Sequence, residues 1–334
     1  MPQLRKDPIT GRWVIIAPER ADRPHAIVRM RPEENGEPCP FCPGNESMTP
    51  PELLVHRPIG GAANGPGWTL RVVPNKFPAL RVESQMFRRG QGPYDLLAGI
   101  GAHEVIIETA EHARQLHEQG AAQIHHVLAA FQSRMLDLVR DERLRHIVFF
   151  KNSGPAAGAT LPHPHSQLVA LPMVPGETRL EMDAAARHFA EKERCIFCDV
   201  IDHEMHQRER VVLETESFVA LSPWAARTPF ELALLPKEHR SQFEAAGSHE
   251  LSGLAEALRL VLRKLDRALE RPAVNLWLHT LPLREPRSPS YHWHLEIKPV
   301  ISLQGGFEWA SGFTINPTPP EEAAAFLRQT EVPA

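Results

Sequence analysis

HPHSQLVAL at residues 163–171 and HWHLEIK at residues 292–298 are two versions of one pattern, a histidine pair followed by alternating apolar residues. Such alternation predicts a β-strand. Upstream, each pair is preceded by a lone histidine (112 and 239) and by a Cys-x-x-Cys motif (39–42 and 195–198). The lone histidine precedes the pair by 51 residues in the first copy and by 53 in the second. The chain is therefore predicted to contain one unit twice.

An amphipathic helix is predicted between the lone histidine and the histidine pair of each copy. In the first copy the apolar face consists of Ile124, Leu128, Phe131, Met135 and Leu138. A shift of 127 residues, the spacing of the two lone histidines, gives Leu251, Ala255, Leu258, Leu262 and Leu265. All ten residues are apolar and follow helical spacing. Each helix is expected to begin close to its lone histidine.

Strand-like segments surround both helices, at residues 103–109, 145–150, 230–235 and 273–278. Strands that follow one another around a helix predict an α+β fold, with a duplicated unit of antiparallel sheet and long amphipathic helices. We expect two similar domains, residues 1–175 and 176–334. The charged segment 176–194 is predicted to be a connecting helix.

Composition excludes several classes of protein. The 334 residues include 42% hydrophobic ones and carry a net charge of −4, which indicates a globular chain without a basic surface for nucleic acid. No apolar run reaches the ~18 residues that a membrane span needs, and no signal peptide is recognisable. A cytoplasmic protein without a membrane partner is expected.

The cysteines predict two zinc sites. A Cys-x-x-Cys pair in a reducing compartment is half of a zinc site, a redox pair or two structural thiols, and the loop-like sequence after each pair favours zinc. Tetrahedral zinc needs two more ligands, which the duplicated histidines supply. The predicted sites consist of Cys39, Cys42, His112 and His163, and of Cys195, Cys198, His239 and His292, with two Zn²⁺ per chain.

His165 is a candidate nucleophile. Alternate residues of a strand share a face, so His165 would lie beside His163 and Gln167 without being a zinc ligand. A neutral imidazole attacks phosphorus well near pH 7, and an amide can steady a phosphate oxygen. Pro164 lacks an N–H, so this strand is expected to be an edge or locally unpaired. The alternative is two packing or surface histidines, which the duplication disfavours.

The segment 150–160, before the histidine pair, has the composition of a phosphate-binding loop. Asn152, Gly154, Gly158 and Thr160 are spaced so that backbone N–H groups can approach an anion closely. A plain flexible loop has the same composition. The nearby His165 favours phosphate binding.

These motifs resemble the galactose-1-phosphate uridylyltransferase family of the histidine triad superfamily, over nearly the whole chain. The resemblance is carried by residues 12–24 (RWVIIAPERADRP), CPFC at 39–42, VPNKF at 73–77, and the segment from Asn152 to Gln167. It implies a histidine triad fold, a nucleotidyl group on His165 steadied by Gln167, and a homodimer with active sites close to the interface. It also implies nucleotide contacts from Arg20, Arg23, Asn75 and Phe77, phosphate contacts from Asn152 and Thr160, and zinc at the first Cys₂His₂ set.

The C-terminal segment 305–317 resembles the ADP-glucose phosphorylase branch. Phe313 and Thr314 replace a Tyr-Glu pair that contacts hexose in uridylyltransferases, and that branch also has a second zinc site with cysteines. The H-P-H form of the histidine pair instead resembles uridylyltransferases. The leading hypothesis is a nucleotidylyltransferase that uses UDP-glucose and galactose-1-phosphate through a covalent nucleotidyl-histidine.

Three alternatives stay open. One is an ADP-glucose phosphorylase, in which phosphate replaces the sugar phosphate as acceptor, and another is the related hydrolase, in which water does. A third is a zinc-stabilised nucleotide-binding module without catalysis.

The second copy is not expected to be an active site. Glu296 stands where the first copy has Gln167, and its carboxylate would repel a phosphate. Some uridylyltransferases have a different metal site in this region, for which His279 and His294 are the candidates. The complete second Cys-x-x-Cys favours the Cys₂His₂ site instead.

Overall fold

The computed structural model describes residues 1–22, 36 and 38–332, so Arg23 lies outside the described residues. The strands are β1 Gln3–Lys6, β2 Trp13–Ile16, β3 Leu54–His56, β4 Leu70–Pro74, β5 Arg88–Gln91, β6 Tyr94–Leu97, β7 Ala102–Ile107, β8 His146–Ser153, β9 His165–Leu171, β10 Val211–Glu214, β11 Phe218–Leu221, β12 Leu232–Pro236, β13 Val274–His279, β14 His294–Pro299 and β15 Thr314–Asn316. The α-helices are α1 Ala121–Leu138, α2 Gly176–Lys192, α3 Ile196–Gln207, α4 Ser248–Ala268, α5 Gly306–Ser311 and α6 Pro320–Gln329.

One ten-stranded antiparallel sheet runs through the described chain, in the order β10-β11-β12-β14-β13-β8-β9-β7-β4-β3. Five strands come from each copy, and the copies meet where β13 pairs with β8, with Trp277 opposite Phe150. The order of strands is mirrored about this junction. The predicted α+β fold, with a duplicated antiparallel unit in two similar halves, is confirmed. The six predicted strand segments all fall on strands, with ends shifted by at most three residues.

The long helices α1 and α4 pack together over one face of the sheet. All ten residues of the predicted apolar faces are buried, at 9% exposure or less, within a single core that spans both copies. Each fully buried Leu or Phe stabilises the fold by about 1.5–3 kcal/mol relative to an exposed one. The two helices therefore cover one face of the sheet, and the opposite face is left for other contacts.

The expected helix starts are wrong. His112 and His239 both stand nine residues before their helices, α1 and α4. Each helix begins after a glycine at the N-cap, Gly120 and Gly247, a residue type that this position favours. The lone histidines lie in the loops before the helices, where they face the cysteine pairs.

Pro164 lies just before β9, so its missing N–H removes no bond from the ladder. The strand itself is in the interior of the sheet, between β7 and β8. Of the two expected alternatives, an edge strand or a locally unpaired one, the edge is therefore wrong. The carbonyl of Pro164 accepts a hydrogen bond from the Glu108 N–H.

The two ends of the chain form a separate three-stranded sheet, in which β2 pairs with β1 and, in parallel, with β15. The boundary that we propose between residues 175 and 176 falls between β9 and the connecting helix α2. None of the helices in the described part of the chain is long and apolar enough to cross a membrane.

Candidate active site and metal centres

His165 is the first residue of β9, on the face of the sheet opposite α1. Its Nδ1 lies 2.8 Å from the carbonyl oxygen of His163. A carbonyl only accepts, so Nδ1 carries the proton and Nε2 keeps its lone pair. The ring is 7% exposed and contacts Phe41 edge-on at 5.3 Å between centroids. Burial lowers the pKa of His165, which keeps the ring neutral.

A chain of hydrogen bonds orients Gln167. The Ala79 N–H donates to Nδ1 of His103 over 3.2 Å, so Nε2 of His103 carries the proton. That Nε2 donates to Oε1 of Gln167 over 2.8 Å. The side-chain nitrogen of Asn75 also contacts Oε1 of Gln167, over 3.5 Å. The carbonyl side of Gln167 is therefore occupied, and its NH₂ group is left to donate.

A buried ion pair lies beneath the nucleophile strand. Nζ of Lys151 donates to Oε2 of Glu108 over 2.8 Å and to the carbonyl oxygen of His165 over 3.2 Å. The hydroxyl of Ser166 donates to the other carboxylate oxygen of Glu108. All three side chains are buried. The pair thus fixes the backbone on which His165 and Gln167 stand.

The predicted phosphate loop follows β8 and turns through two left-handed glycines. Gly154 has φ +85° and Gly158 has φ +87°, values that favour glycine. A Cβ on Gly154 would lie 3.0 Å from that of Ala273. Asn275 of the second copy donates to Oδ1 of Asn152 and to the carbonyl oxygen of Ala157. The second copy thereby shapes the loop of the first.

The structure brings together all four members of the first predicted metal site. One ligand atom from each of Cys39, Cys42, His112 and His163 lies within 4.8 Å of the others. Nδ1 of His163 is 3.8 Å from the Cys39 sulfur and 3.6 Å from the Cys42 sulfur, and Nδ1 of His112 is 3.2 Å from the latter.

These distances fit zinc. Tetrahedral zinc, with bonds of about 2.3 Å to sulfur and 2.0 Å to nitrogen, holds S and N ligands about 3.5 Å apart. Nε2 of His163 donates to the Thr109 carbonyl oxygen over 2.8 Å, which leaves Nδ1 unprotonated toward the sulfurs. Burial and the neighbouring Cys39 raise the pKa of the Cys42 thiol to about 11. The thiolate is the form that binds zinc, so a bound cation would lower this pKa.

The second Cys₂His₂ set has the same construction. Nδ1 of His239 and of His292 lie 3.4 Å and 3.6 Å from the Cys198 sulfur. Their Nε2 atoms face the backbone carbonyl oxygens of Ser288 and Pro236, each over 3.0 Å. Ligand atoms of all four residues lie within 4.8 Å of one another, as in the first set.

A third group joins Glu181, His279, His294 and Glu296, whose ligand atoms also lie within 4.8 Å of each other. The rings of His294 and His279 stack, with their centroids 4.4 Å apart. Neither histidine belongs to the second Cys₂His₂ set, which contains His239 and His292. The carboxylates of the group already have partners. Tyr291 donates to Glu181 over 3.0 Å, and Arg227 contacts Glu296. Two carboxylates, those of Glu181 and Glu296, thus lie beside His294, where the first copy has the amide of Gln167.

The remaining predicted substrate residues lie at the surface. Thr160 and Phe77 are exposed, the latter at 84%. Arg20 is exposed beyond β2, beside the three-stranded sheet, and no hydrogen bond or ion pair within the described residues joins it to His165 or Gln167. A contact of Arg20 with the nucleotide therefore stays a prediction.

Comparisons with known proteins agree with the duplicated architecture. The N-terminal and C-terminal domain profiles of galactose-1-phosphate uridyl transferase match residues 1–175 and 181–327. ADP-glucose phosphorylase of Arabidopsis thaliana is 36% identical over 99% of this chain and 93% of its own length. Galactose-1-phosphate uridylyltransferase of Thermotoga maritima is 29% identical over 99% of both chains.

Solved structures show the same likeness. A crystal structure of an Arabidopsis thaliana ADP-glucose phosphorylase with bound ADP-glucose superposes with a TM-score of 0.84, at 34% identity and full coverage of both chains. A uridylyltransferase structure gives 0.77 at 27% identity, over 99% of this chain and 98% of the other. With two family profiles that together span most of its length, this chain belongs to the galactose-1-phosphate uridylyltransferase family.

Proposed function

We propose that the protein is a hexose-1-phosphate nucleotidylyltransferase that works through a covalent nucleotidyl-histidine. Nε2 of His165 attacks the α-phosphorus of UDP-glucose, and the bond from that phosphorus to the departing phosphate oxygen breaks, which releases glucose-1-phosphate. Galactose-1-phosphate then attacks the same phosphorus through a phosphate oxygen, frees Nε2 and leaves as UDP-galactose. The observation that carries this proposal is the fixed tautomer of His165, because an unprotonated Nε2 is what the attack requires.

The surroundings of His165 support this chemistry. The free NH₂ group of Gln167 can donate to a non-bridging oxygen as charge shifts during transfer. Asn152 and the loop through Gly158 can hold the neighbouring phosphate, with Thr160 at its end, while Asn75 and Phe77 lie on the nucleotide side. Zinc on Cys39, Cys42, His112 and His163 supplies a structural crosslink. In this proposal it fixes His163 two residues before the nucleophile.

A homodimer explains the position of Arg20. A positive charge near the nucleotide is expected of this residue, yet it is exposed on the three-stranded sheet of its own chain. We propose that a second copy brings Arg20 to the nucleotide. No disulfide joins any of the four cysteines, which supports a reducing, cytoplasmic location.

A second candidate function is ADP-glucose phosphorolysis. It is favoured by the 36% identity to the Arabidopsis thaliana ADP-glucose phosphorylase and by the replacement of the hexose-contacting Tyr-Glu pair with Phe313 and Thr314. The first half of the reaction is unchanged, but phosphate attacks the intermediate and ADP leaves.

An assay of two substrate pairs separates these candidates. With UDP-glucose and galactose-1-phosphate as substrates, we expect UDP-galactose to form, as detected by chromatography of the products. If ADP forms from ADP-glucose and phosphate, and UDP-glucose with galactose-1-phosphate gives no UDP-galactose, the second candidate is established. Both candidates also require labelled glucose-1-phosphate to exchange into the nucleotide sugar in the absence of any second acceptor. Without that exchange, a ping-pong mechanism fails for either.

Gln167→Ala is expected to lower kcat by about 10²-fold, because one preorganised donor to the developing charge is lost. KM should change much less, since the donor acts mainly on the transition state. Steady-state rates with the active substrate pair measure both constants. Gln132→Ala is the matched control, because the Gln132 amide donates to the carbonyl oxygens of Glu244 and Ala246, far from the site. Equal kcat values for the two variants would contradict the role of Gln167.

A further inference from the structure

His103 on β7 lies between the two groups of residues that the proposed function assigns to the substrate. β7 pairs with β9 on one side and with β4 on the other. Gln167, the proposed donor to the transferred phosphate, pairs with Val105 of β7, so His103 is its diagonal neighbour on the same face. Asn75 comes directly after β4, whose last residue pairs with Glu104. A side chain at position 103 can therefore contact both groups.

His103 holds the nucleotide-side segment, residues 75–79, at both of its ends. The carbonyl oxygen of His103 accepts a hydrogen bond from the Asn75 N–H over 2.8 Å, and Nδ1 of its ring accepts one from the Ala79 N–H over 3.2 Å. Within the segment, Oδ1 of Asn75 accepts a hydrogen bond from the Phe77 N–H over 2.8 Å. The segment that contains Asn75 and Phe77 is thus attached to one residue of β7.

The same imidazole determines which end of the Gln167 amide is left for a substrate. Because Nδ1 accepts from Ala79, the proton of the ring is on Nε2. Nε2 lies 2.8 Å from Oε1 of Gln167, so the carbonyl end of the amide is turned toward His103. In the other tautomer an unprotonated Nε2 would attract the NH₂ group instead. Gln167 would then present its carbonyl oxygen, which cannot donate to a phosphate.

We propose that His103 is a positioning residue that joins the nucleotide-side segment to the phosphate donor Gln167. This inference rests on the proposed function, which assigns the segment to the nucleotide and Gln167 to the transferred phosphate. His103 acts through Ala79 and Gln167 and forms no bond to the substrate itself. Its Nε2–H tautomer is set by the segment, and that tautomer in turn sets the orientation of the amide. Nucleotide binding and phosphate transfer therefore depend on one ring.

Two substitutions separate the two hydrogen bonds of the ring. His103→Asn keeps an acceptor near the position of Nδ1 and has no group at that of Nε2. His103→Gln can place its NH₂ group near the position of Nε2 and leaves the Ala79 N–H without its acceptor. We expect His103→Asn to lower kcat at least about tenfold and to change KM for the nucleotide sugar by less than about threefold. For His103→Gln we expect the reverse, a KM raised at least about fivefold and a kcat within about threefold of the parent value.

His56→Asn is the matched control for both variants. His56 is also a histidine on a strand of the sheet, but its Nδ1 contacts the Thr69 hydroxyl and its ring packs on His126 of α1. It therefore faces the helices rather than the side of the sheet that holds Gln167. Steady-state rates with the active substrate pair should show kcat and KM of His56→Asn within about twofold of the parent values.

A double-mutant cycle shows whether His103 acts through Gln167. Once Gln167→Ala has removed the amide, His103→Asn should lower kcat by less than about twofold further, because the two residues belong to one unit. A residue that only supported the fold of β7 would cost the same factor in either background. Additive losses of kcat in the double variant would therefore overturn the inference.

The tautomer of His103 is measured without any turnover. In the full-length protein with ¹⁵N-labelled histidine, NMR correlation of the ring nitrogens with the ring protons distinguishes an Nε2–H ring from an Nδ1–H ring. The signals of His103 are those that disappear in His103→Asn or in His103→Gln, whichever variant folds. We expect the Nε2–H form, and the Nδ1–H form would overturn the inference whatever the activity. An Nε2–H ring in a protein whose His165 is not labelled by any nucleotide sugar would instead overturn the proposed function, so the two failures are distinguishable.

Discussion

Replacing His165 with Asn is expected to abolish covalent labelling by a radiolabelled nucleotide sugar and to lower turnover by at least about 10³-fold. An asparagine amide can still donate to the His163 carbonyl oxygen, as Nδ1 of His165 does over 2.8 Å. The backbone of β9 and the neighbouring zinc ligand His163 therefore keep their places. What disappears is the unprotonated Nε2, and with it the only way in this mechanism to hold the nucleotidyl group between the two transfers.

His294→Asn is the matched control for this variant. His294 makes the same contact to the carbonyl oxygen two residues before it, over 3.1 Å, and packs on the equivalent phenylalanine. Its neighbours are Glu296 and Glu181 rather than an amide, so we expect labelling to persist at the level of the parent protein. Labelling that survives His165→Asn and is lost with His294→Asn would move the reaction to the second copy. Turnover that survives both would refute the covalent mechanism.

The repeated elements of the fold could be predicted because they leave periodic signals. The apolar face from Ile124 to Leu138 repeats as Leu251 to Leu265, and a helix face or a strand alternation is readable without any partner. The starts of the helices were harder to predict. Thr109 and Pro236 resemble helix beginnings, but eight residues separate each lone histidine from its helix, and this spacing leaves the histidine beside the cysteines.

Contacts that depend on the order of strands could not be predicted. His103 reaches Gln167, and Asn275 reaches Asn152, because β7 and β13 are neighbours of β9 and β8 in the sheet. Periodicity gives the face on which a side chain lies but not the strand beside it. The Lys151–Glu108 pair was missed for the same reason.

Loss of either zinc site should have effects that differ in kind. Cys42→Ser and Cys198→Ser are each expected to reduce bound zinc from two ions per chain to one, as measured by metal analysis of the purified protein. Each variant should lower Tm by about 5–10 °C. The reason is that zinc no longer links the cysteines of that set to its histidines, which lie far away along the chain. His112→Asn tests the first site more gently, since His112 is exposed and its removal leaves no cavity.

Activity separates the two sites, and each variant serves as the control for the other. His163 belongs to the first proposed zinc site and also provides the carbonyl that orients His165, so Cys42→Ser and His112→Asn should lower kcat at least tenfold. Cys198→Ser alters the half that lacks the nucleophile, and its kcat at a temperature well below its Tm should stay within about threefold of the parent value. Two zinc ions retained in Cys42→Ser would show that the first cluster is not a metal site. Equal losses of kcat in both cysteine variants would instead mean that the first zinc acts only through overall stability, and not by fixing the position of the nucleophile.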